Sequence, residues 1–269
     1  MISFSSMKAQ ETFSVNMDLK TMRTDQIDFN EKNIEIIFRK PLNKKSQISN
    51  TFKYSNLKVN YESDLFTTYE NPDRFNQLQN KIDYLYKVTD KTKLNFSLKP
   101  MISFQENLGI SDFVLLGNFE VNQQLNSKTS LAFGAARSTL FGSPKFIPTL
   151  SINYMFNNES TISVGFPDSK VTYSNNVRNK FSLTNSFNGS YYNLDQKNDL
   201  NTDAAKMSLS QMTTALEYER NVDKNWFLNL KAGYDFNKKY NLLDSNDHKV
   251  YDYNTGNGYV LGIGIKYKQ

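Results

Sequence analysis

Apolar and polar residues alternate along most of this chain with a period of two, the signature of an extended strand rather than of a helix. In the last segment Tyr259, Leu261, Ile263, Ile265 and Tyr267 fall on one face, against Gly258, Val260, Gly262, Gly264, Lys266 and Lys268 on the other. The segment before it repeats the pattern with Trp226, Leu228, Leu230, Ala232 and Tyr234. Further stripes run through Phe13 to Leu19, Ile82 to Val88, Leu94, Phe96, Leu98 to Phe104, Phe113 to Val121, and Leu150, Ile152, Tyr154 and Phe156. No stripe position carries a charge, whereas the opposite faces hold most of the Lys, Asn, Ser and Asp.

Alternation alone also describes a soluble sandwich, so strand length has to decide. Sandwich strands usually run for about 5–6 residues, and these stripes run for about 9–13, enough to cross a bilayer at a tilt. Aromatics at the stripe ends, Tyr259 with Tyr267 and Trp226 with Tyr234, match the girdles of a membrane barrel. The connections alternate as well. Short polar turns fall near 43–46, 89–92, 123–127, 157–159 and 221–225, with longer connections at 22–32, 63–75, 106–110, 139–146 and 237–257. An outer-membrane barrel has this arrangement, with tight turns on the periplasmic side and longer loops outside.

The pattern therefore predicts an all-β fold: a transmembrane antiparallel up-and-down β-barrel of about 12 strands, one domain over residues 11–269. The strands are expected near 11–22, 33–41, 47–62, 76–89, 92–105, 111–122, 128–138, 147–157, 160–174, 206–220, 225–237 and 257–268. Residues 175–205 read as one long external loop. A crossing at 181–194 would put the turn at 221–225 on the outside and make the strand count odd. Pro167 marks a strand end or bulge, because proline cannot donate within a paired ladder.

Composition narrows the function classes. The 269 residues include no Cys, so disulfides, thiolate metal sites and cysteine nucleophiles are excluded, and the single histidine, His248, removes most histidine-based chemistry. Uncharged apolar runs fall far short of the roughly 18 residues of a membrane helix. The net charge of +5 is spread along the chain with no long basic run, which argues against a nucleic-acid partner. Catalytic, metal and cofactor sites are not expected. His248 lies in a polar loop without a second histidine or a motif. The 1-3-5 oxygen spacing of Asp199, Asn201 and Asp203 imitates a calcium loop, but Ala204 replaces the needed glycine and Ser210 the bidentate glutamate.

With the stripes facing lipid, the lumen-lining candidates are Lys53, Lys81, Asp83, Lys87, Lys93, Lys99, Glu120, Lys231, Asp235, Lys266 and Lys268. They would make either a narrow, mildly cationic passage for small polar or anionic solutes, or a filled interior in which these groups pair off. The lipid-facing candidates are Leu94, Phe96, Leu98, Ile152, Tyr154, Trp226, Leu228, Leu230, Tyr259, Leu261, Ile263, Ile265 and Tyr267.

The Gly165-Phe166-Pro167 break after Ile162 and Val164, the 150–156 segment before it, and the terminal 258–267 strand together resemble an uncharacterised family of outer-membrane β-barrel proteins of Gram-negative bacteria. The resemblance implies an integral outer-membrane location, contact with lipid and lipopolysaccharide, and insertion by the barrel-assembly machinery. The signal read by that machinery usually ends on an aromatic, and here Tyr267 is third from the end. Residues 1–10, with Ser5, Ser6 and Ala9, read as a signal-peptide remnant or a frayed terminus. The expected function is a small outer-membrane pore. A non-conducting accessory subunit of a larger complex with other outer-membrane proteins is the alternative.

Overall fold

The computed structural model describes residues 12–61, 72–195 and 204–269. Within them fifteen strands form one sheet that closes on itself. They are β1 (Thr12–Arg23), β2 (Ile27–Pro41), β3 (Ser46–Tyr61), β4 (Arg74–Lys87), β5 (Thr92–Phe104), β6 (Phe113–Gln124), β7 (Thr129–Ser138), β8 (Lys145–Met155), β9 (Ser160–Phe166), β10 (Asp168–Ser174), β11 (Asn179–Asn193), β12 (Lys206–Asp223), β13 (Trp226–Leu243), β14 (Lys249–Asp252) and β15 (Gly258–Lys268). Neighbours in sequence pair antiparallel, and β1 pairs with β15 from Ser14↔Lys268 to Arg23↔Tyr259, which completes the cylinder. The four-residue β14 is an appendage on the end of β13. The other fourteen strands make the wall.

Fourteen replaces the expected twelve, and two missed strands account for it. The segment 160–174 is a hairpin and not one strand: the chain reverses around Phe166-Pro167, and Lys170 pairs back onto Ser163. Pro167 has no N–H for a ladder, and the Gly165 N–H donates instead to Ser169 Oγ at 3.0 Å. Residues 179–193, expected within an external loop, form β11, paired with β12 along its whole length. The extra reversal at Pro167 removes the parity conflict that had argued against this strand. The signal-like residues 1–10 and the calcium-like spacing at Asp199, Asn201 and Asp203 lie outside the described residues.

One end of the cylinder carries short turns of a repeated build. Asn43, Asn126, Asn157 and Asn176 each accept, through Oδ1, the backbone N–H groups two and three residues on, and Thr89 Oγ1 does the same. A short polar side chain that satisfies two turn amides is what Asn and Thr supply at such positions. The opposite end carries the longer connections.

The stripes point outward. Leu261, Ile263 and Ile265 are 50–61% exposed although apolar, and Phe96, Leu98, Ile152 and Leu230 are exposed likewise. Leu94, Leu228 and Tyr267 are half-buried on the same outer faces. Rings pair at the rims, with Trp226 against Tyr267 at 5.1 Å and Tyr234 against Tyr259 at 5.2 Å.

The inner faces change character along each strand. From the loop end, β2 presents Ile27, Phe29, Glu31, Asn33 and Glu35; β3 presents Val59, Leu57, Ser55 and Lys53; β12 presents Met207, Leu209, Gln211, Thr213, Ala215 and Glu217. Each series begins with large apolar residues at the loop end and reaches a charged residue toward the turn end. The loop half of the bore consequently holds a core of buried side chains, while the turn half stays polar.

Candidate functional site

The core in the loop half works as a stopper because its residues meet across the bore. The Phe75 ring of β4 lies 5.0 Å from Tyr192 of β11, on the opposite wall. Tyr240 stacks on Tyr253 at 4.4 Å and meets Phe29 edge-on at 5.3 Å, and its hydroxyl lies 2.7 Å from that of Tyr61. Met22, Leu57, Met207 and Val260 fill the spaces between and are at most 2% exposed. The 139–142 connection packs closely against β11 and β12. A side chain at Gly189 would collide with the carbonyls of Thr139 and Leu140, and one at Gly142, where φ is +81°, with Ser208.

An ion pair lies inside the stopper. Lys238 Nζ is 2.8 Å from Asp235 Oδ2 and both side chains are fully buried. Thr213 Oγ1 donates to Asp235 Oδ1 at 2.6 Å, and the ammonium sits 5.0 Å from the centre of the Phe29 ring. Asn237, at φ 50°, produces this arrangement. The β12–β13 register slips there, with Gln211 of β12 facing both Asn237 and Lys238 of β13, so Lys238, Tyr240 and Leu242 turn inward after Asp235. Above the stopper, Tyr191 Oη and Lys206 Nζ donate to Asp247 at 2.6 and 2.8 Å. Burial opposes ionisation of Asp247, but these two donors outweigh it and hold its carboxyl below the ordinary aspartate range.

Below the stopper lies a chamber of about 630 Å³, lined by groups from both walls including Asp18, Glu31, Lys53, Gln77, Lys99 and Lys266. A neighbouring cavity of about 470 Å³ shares Glu35, Lys53, Gln79 and Lys99 with it and extends toward Thr149 and Asp168. A third, of about 270 Å³, shares Asn16 and Lys266 and reaches Thr12 and Lys268 at the turn end.

The two sides of the chamber differ electrostatically. On the β10–β15 side Glu217 lies between Lys170 (3.0 Å) and Lys231 (3.2 Å), and Glu219 pairs closely with Lys266. Glu31 of β2 pairs with Lys20 of β1 at 2.5 Å. On the β3–β5 side Lys81 pairs with Asp83 at 2.8 Å, and Ser97 donates to the same carboxylate at 2.8 Å. Lys53 and Lys99 have no carboxylate within 4.0 Å among the described residues.

The remaining lumen candidates are placed as follows. Lys87 pairs with Asp90 at 2.6 Å at the turn end, opposite an exposed Lys93. Lys268 lines the turn-end cavity. Glu120 is half-buried on the inner face of β6. Asp235 does not reach the chamber, because the stopper encloses it. Sequence reading missed Lys20, Glu31, Lys170, Glu217 and Glu219, whose inward parity was available, and Lys238, whose parity depends on the bulge. His248 is exposed in its loop, with Nδ1 3.3 Å from Asp244 Oδ2.

A family model described as Domain of unknown function (DUF6268) matches residues 33–268. The chain belongs to this family. No curated protein matches this DUF6268 chain. Among solved structures, it is similar to the TodX monoaromatic hydrocarbon channel in a ΔS2S3 mutant, at 11% identity and TM-score 0.53, over 96% of this chain and 90% of that one. It is also similar to the Ralstonia pickettii toluene transporter TbuX, at 10% identity and TM-score 0.51, over 98% and 90%. The NanC porin aligns at 8% identity and TM-score 0.45, over 95% and 100%. At such identities the likeness to TodX and TbuX establishes the fold alone, a closed antiparallel barrel.

Proposed function

We propose that this chain is an integral outer-membrane barrel of a Gram-negative bacterium and forms a channel for small polar or anionic solutes. The observation that carries this reading is a polar chamber enclosed by a wall whose outside is apolar across the bilayer-spanning length. The stopper narrows its loop end, so passage requires that end to rearrange. The barrel performs no chemistry in this reading; His248 is a solvated loop residue paired with Asp244. Lipid and lipopolysaccharide surround it, the barrel-assembly machinery inserts it, and other outer-membrane proteins are available as neighbours.

Reconstitution in planar bilayers tests the proposal. The wild type is expected to give small discrete conductance steps, and Tyr240→Ala, which removes the ring at the centre of the stopper, larger ones. Persistent silence of both proteins would overturn the reading.

A further inference from the structure

We infer that the β3–β5 side of the chamber holds a binding station for small multivalent anions, centred on Lys53, Lys81 and Lys99. The inference rests on the channel reading and adds a ligand class and a place to it.

The register brings the three ammonium groups to one level. Lys53 lies opposite Gln79, two residues along β4 from Lys81. Lys81 comes opposite Lys99 between the paired residues Gln79↔Met101 and Ile82↔Leu98. Like charges facing each other across neighbouring strands repel, and the chamber's own carboxylates do not relieve all three. Asp83 serves Lys81 and is also held by Ser97 and Ser49. Glu35, although opposite Lys53 in register, accepts from Asn16 Nδ2 at 2.7 Å. On the opposite side the carboxylates are held in direct ion pairs, Glu217 with Lys170 and Lys231 and Glu219 with Lys266, whereas Lys53 and Lys99 have no such partner among the described residues.

A second observation is independent of charge. Thr149 lines the same cavity as Lys53, Lys81 and Lys99, and its hydroxyl is buried with no hydrogen-bond partner among the described residues. Gln79, Ser97 and Asn118 add neutral polar groups around that space. Glu35 and Asp168 also line this space of about 470 Å³, and the three lysines beside the neutral donors suit a ligand that presents several anionic oxygens at once. Carboxylates and phosphates share that chemistry.

The test is calorimetric titration of the detergent-purified full-length barrel with citrate and, separately, pyrophosphate. Binding is read without conduction, so a silent bilayer and an absent station give different results. Saturable binding of either anion is expected, and the tighter of the two identifies the oxygen chemistry. Lys99→Gln should weaken it about 10-fold or more and Lys53→Gln similarly, so that a folding failure of one variant leaves the other to decide. Lys99→Arg should retain most of the affinity. Lys170→Gln, on the matched side and leaving Glu217 with Lys231, should change it less than about 2-fold. No saturable binding by the wild type, or equal weakening by Lys170→Gln and Lys99→Gln, would overturn the inference.

Discussion

The same strands build two different interiors in the two halves of the bore. Phe29 and Glu35 share the inner face of β2, six residues apart; so do Leu209 and Glu217 on β12, and Tyr240 and Lys231 on β13. Toward the loop end these faces meet across the cylinder and exclude water, as in the core of a soluble protein. Toward the turn end they stand apart around a chamber and hold their charges in pairs or in solvent. Parity puts a residue inside the barrel, but its height along the strand decides whether it must be apolar. The buried Asp235–Lys238 pair is the exception, since it places charge where the gradient calls for apolar groups.

That exception offers the strongest way to test the contrast. Asp235→Leu leaves the Lys238 ammonium buried without its partner and should destabilise the folded barrel by about 3–5 kcal/mol. Joint replacement with Lys238→Met should recover most of the loss. Urea unfolding in lipid vesicles measures both. If the single variant is as stable as the wild type, water reaches the pair and the stopper is not dry.

Next in size is a comparison of the wall's two faces at one height. Leu230→Arg puts charge on the outer face between the rims marked by Trp226 and Tyr234, and should cost about 2–4 kcal/mol in the same assay. Lys231→Leu, one residue on and facing the chamber, should change stability by no more than about 1 kcal/mol, because Glu217 keeps Lys170. Equal costs would mean that the two faces meet similar surroundings.

Smaller again is Asn126→Ala at the turn end, which removes acceptors for the Lys128 and Thr129 amides in a fully wet turn. A loss of about 1 kcal/mol or less is expected.

The last test follows pH at the loop end. Asp247 has a depressed pKa in the folded state, so its contribution is present above the unfolded aspartate value of about 3.9 and is lost as pH falls through the lower folded value. Limited proteolysis within 244–257 should stay slow down to about pH 4 and accelerate only in stronger acid. Asp247→Asn should make cleavage faster at neutral pH and weaken its acid dependence, leaving only the part carried by Asp244 and Asp252.

Much of this was legible in the sequence, because alternation, strand length and turn spacing depend on local residue types. Leu261, Ile263, Leu228 and Leu230 disclosed an outward apolar face, and the short turns disclosed one end of the cylinder. The β9–β10 hairpin was hidden because its tip at Gly165-Phe166-Pro167 lacks the polar run that marks the other turns. β11 was hidden behind it, since one unseen reversal inverts the direction of everything after it. The stopper had a readable signal in series such as Ile27, Phe29, Glu31, Asn33 and Glu35, a change of character along one face that period-2 counting averages away. Lys238 had none: the Asn237 bulge that turns it inward depends on pairing with β12 and on the Asn237 N–H donating to Asn257 Oδ1 at 2.9 Å.

The β1–β15 seam sets the order in which the molecule can be finished. The strand β15 is the eleven residues Gly258–Lys268, which pair on one side with β13 and on the other with β1. Until those residues pair, β1 and β13 each expose an unsatisfied backbone ladder, and the contact that joins them reaches from Ser14 to Lys268. Closure is therefore a late, long-range event, and loss of the last strand would leave an open ribbon with two adhesive borders rather than a slightly smaller cylinder.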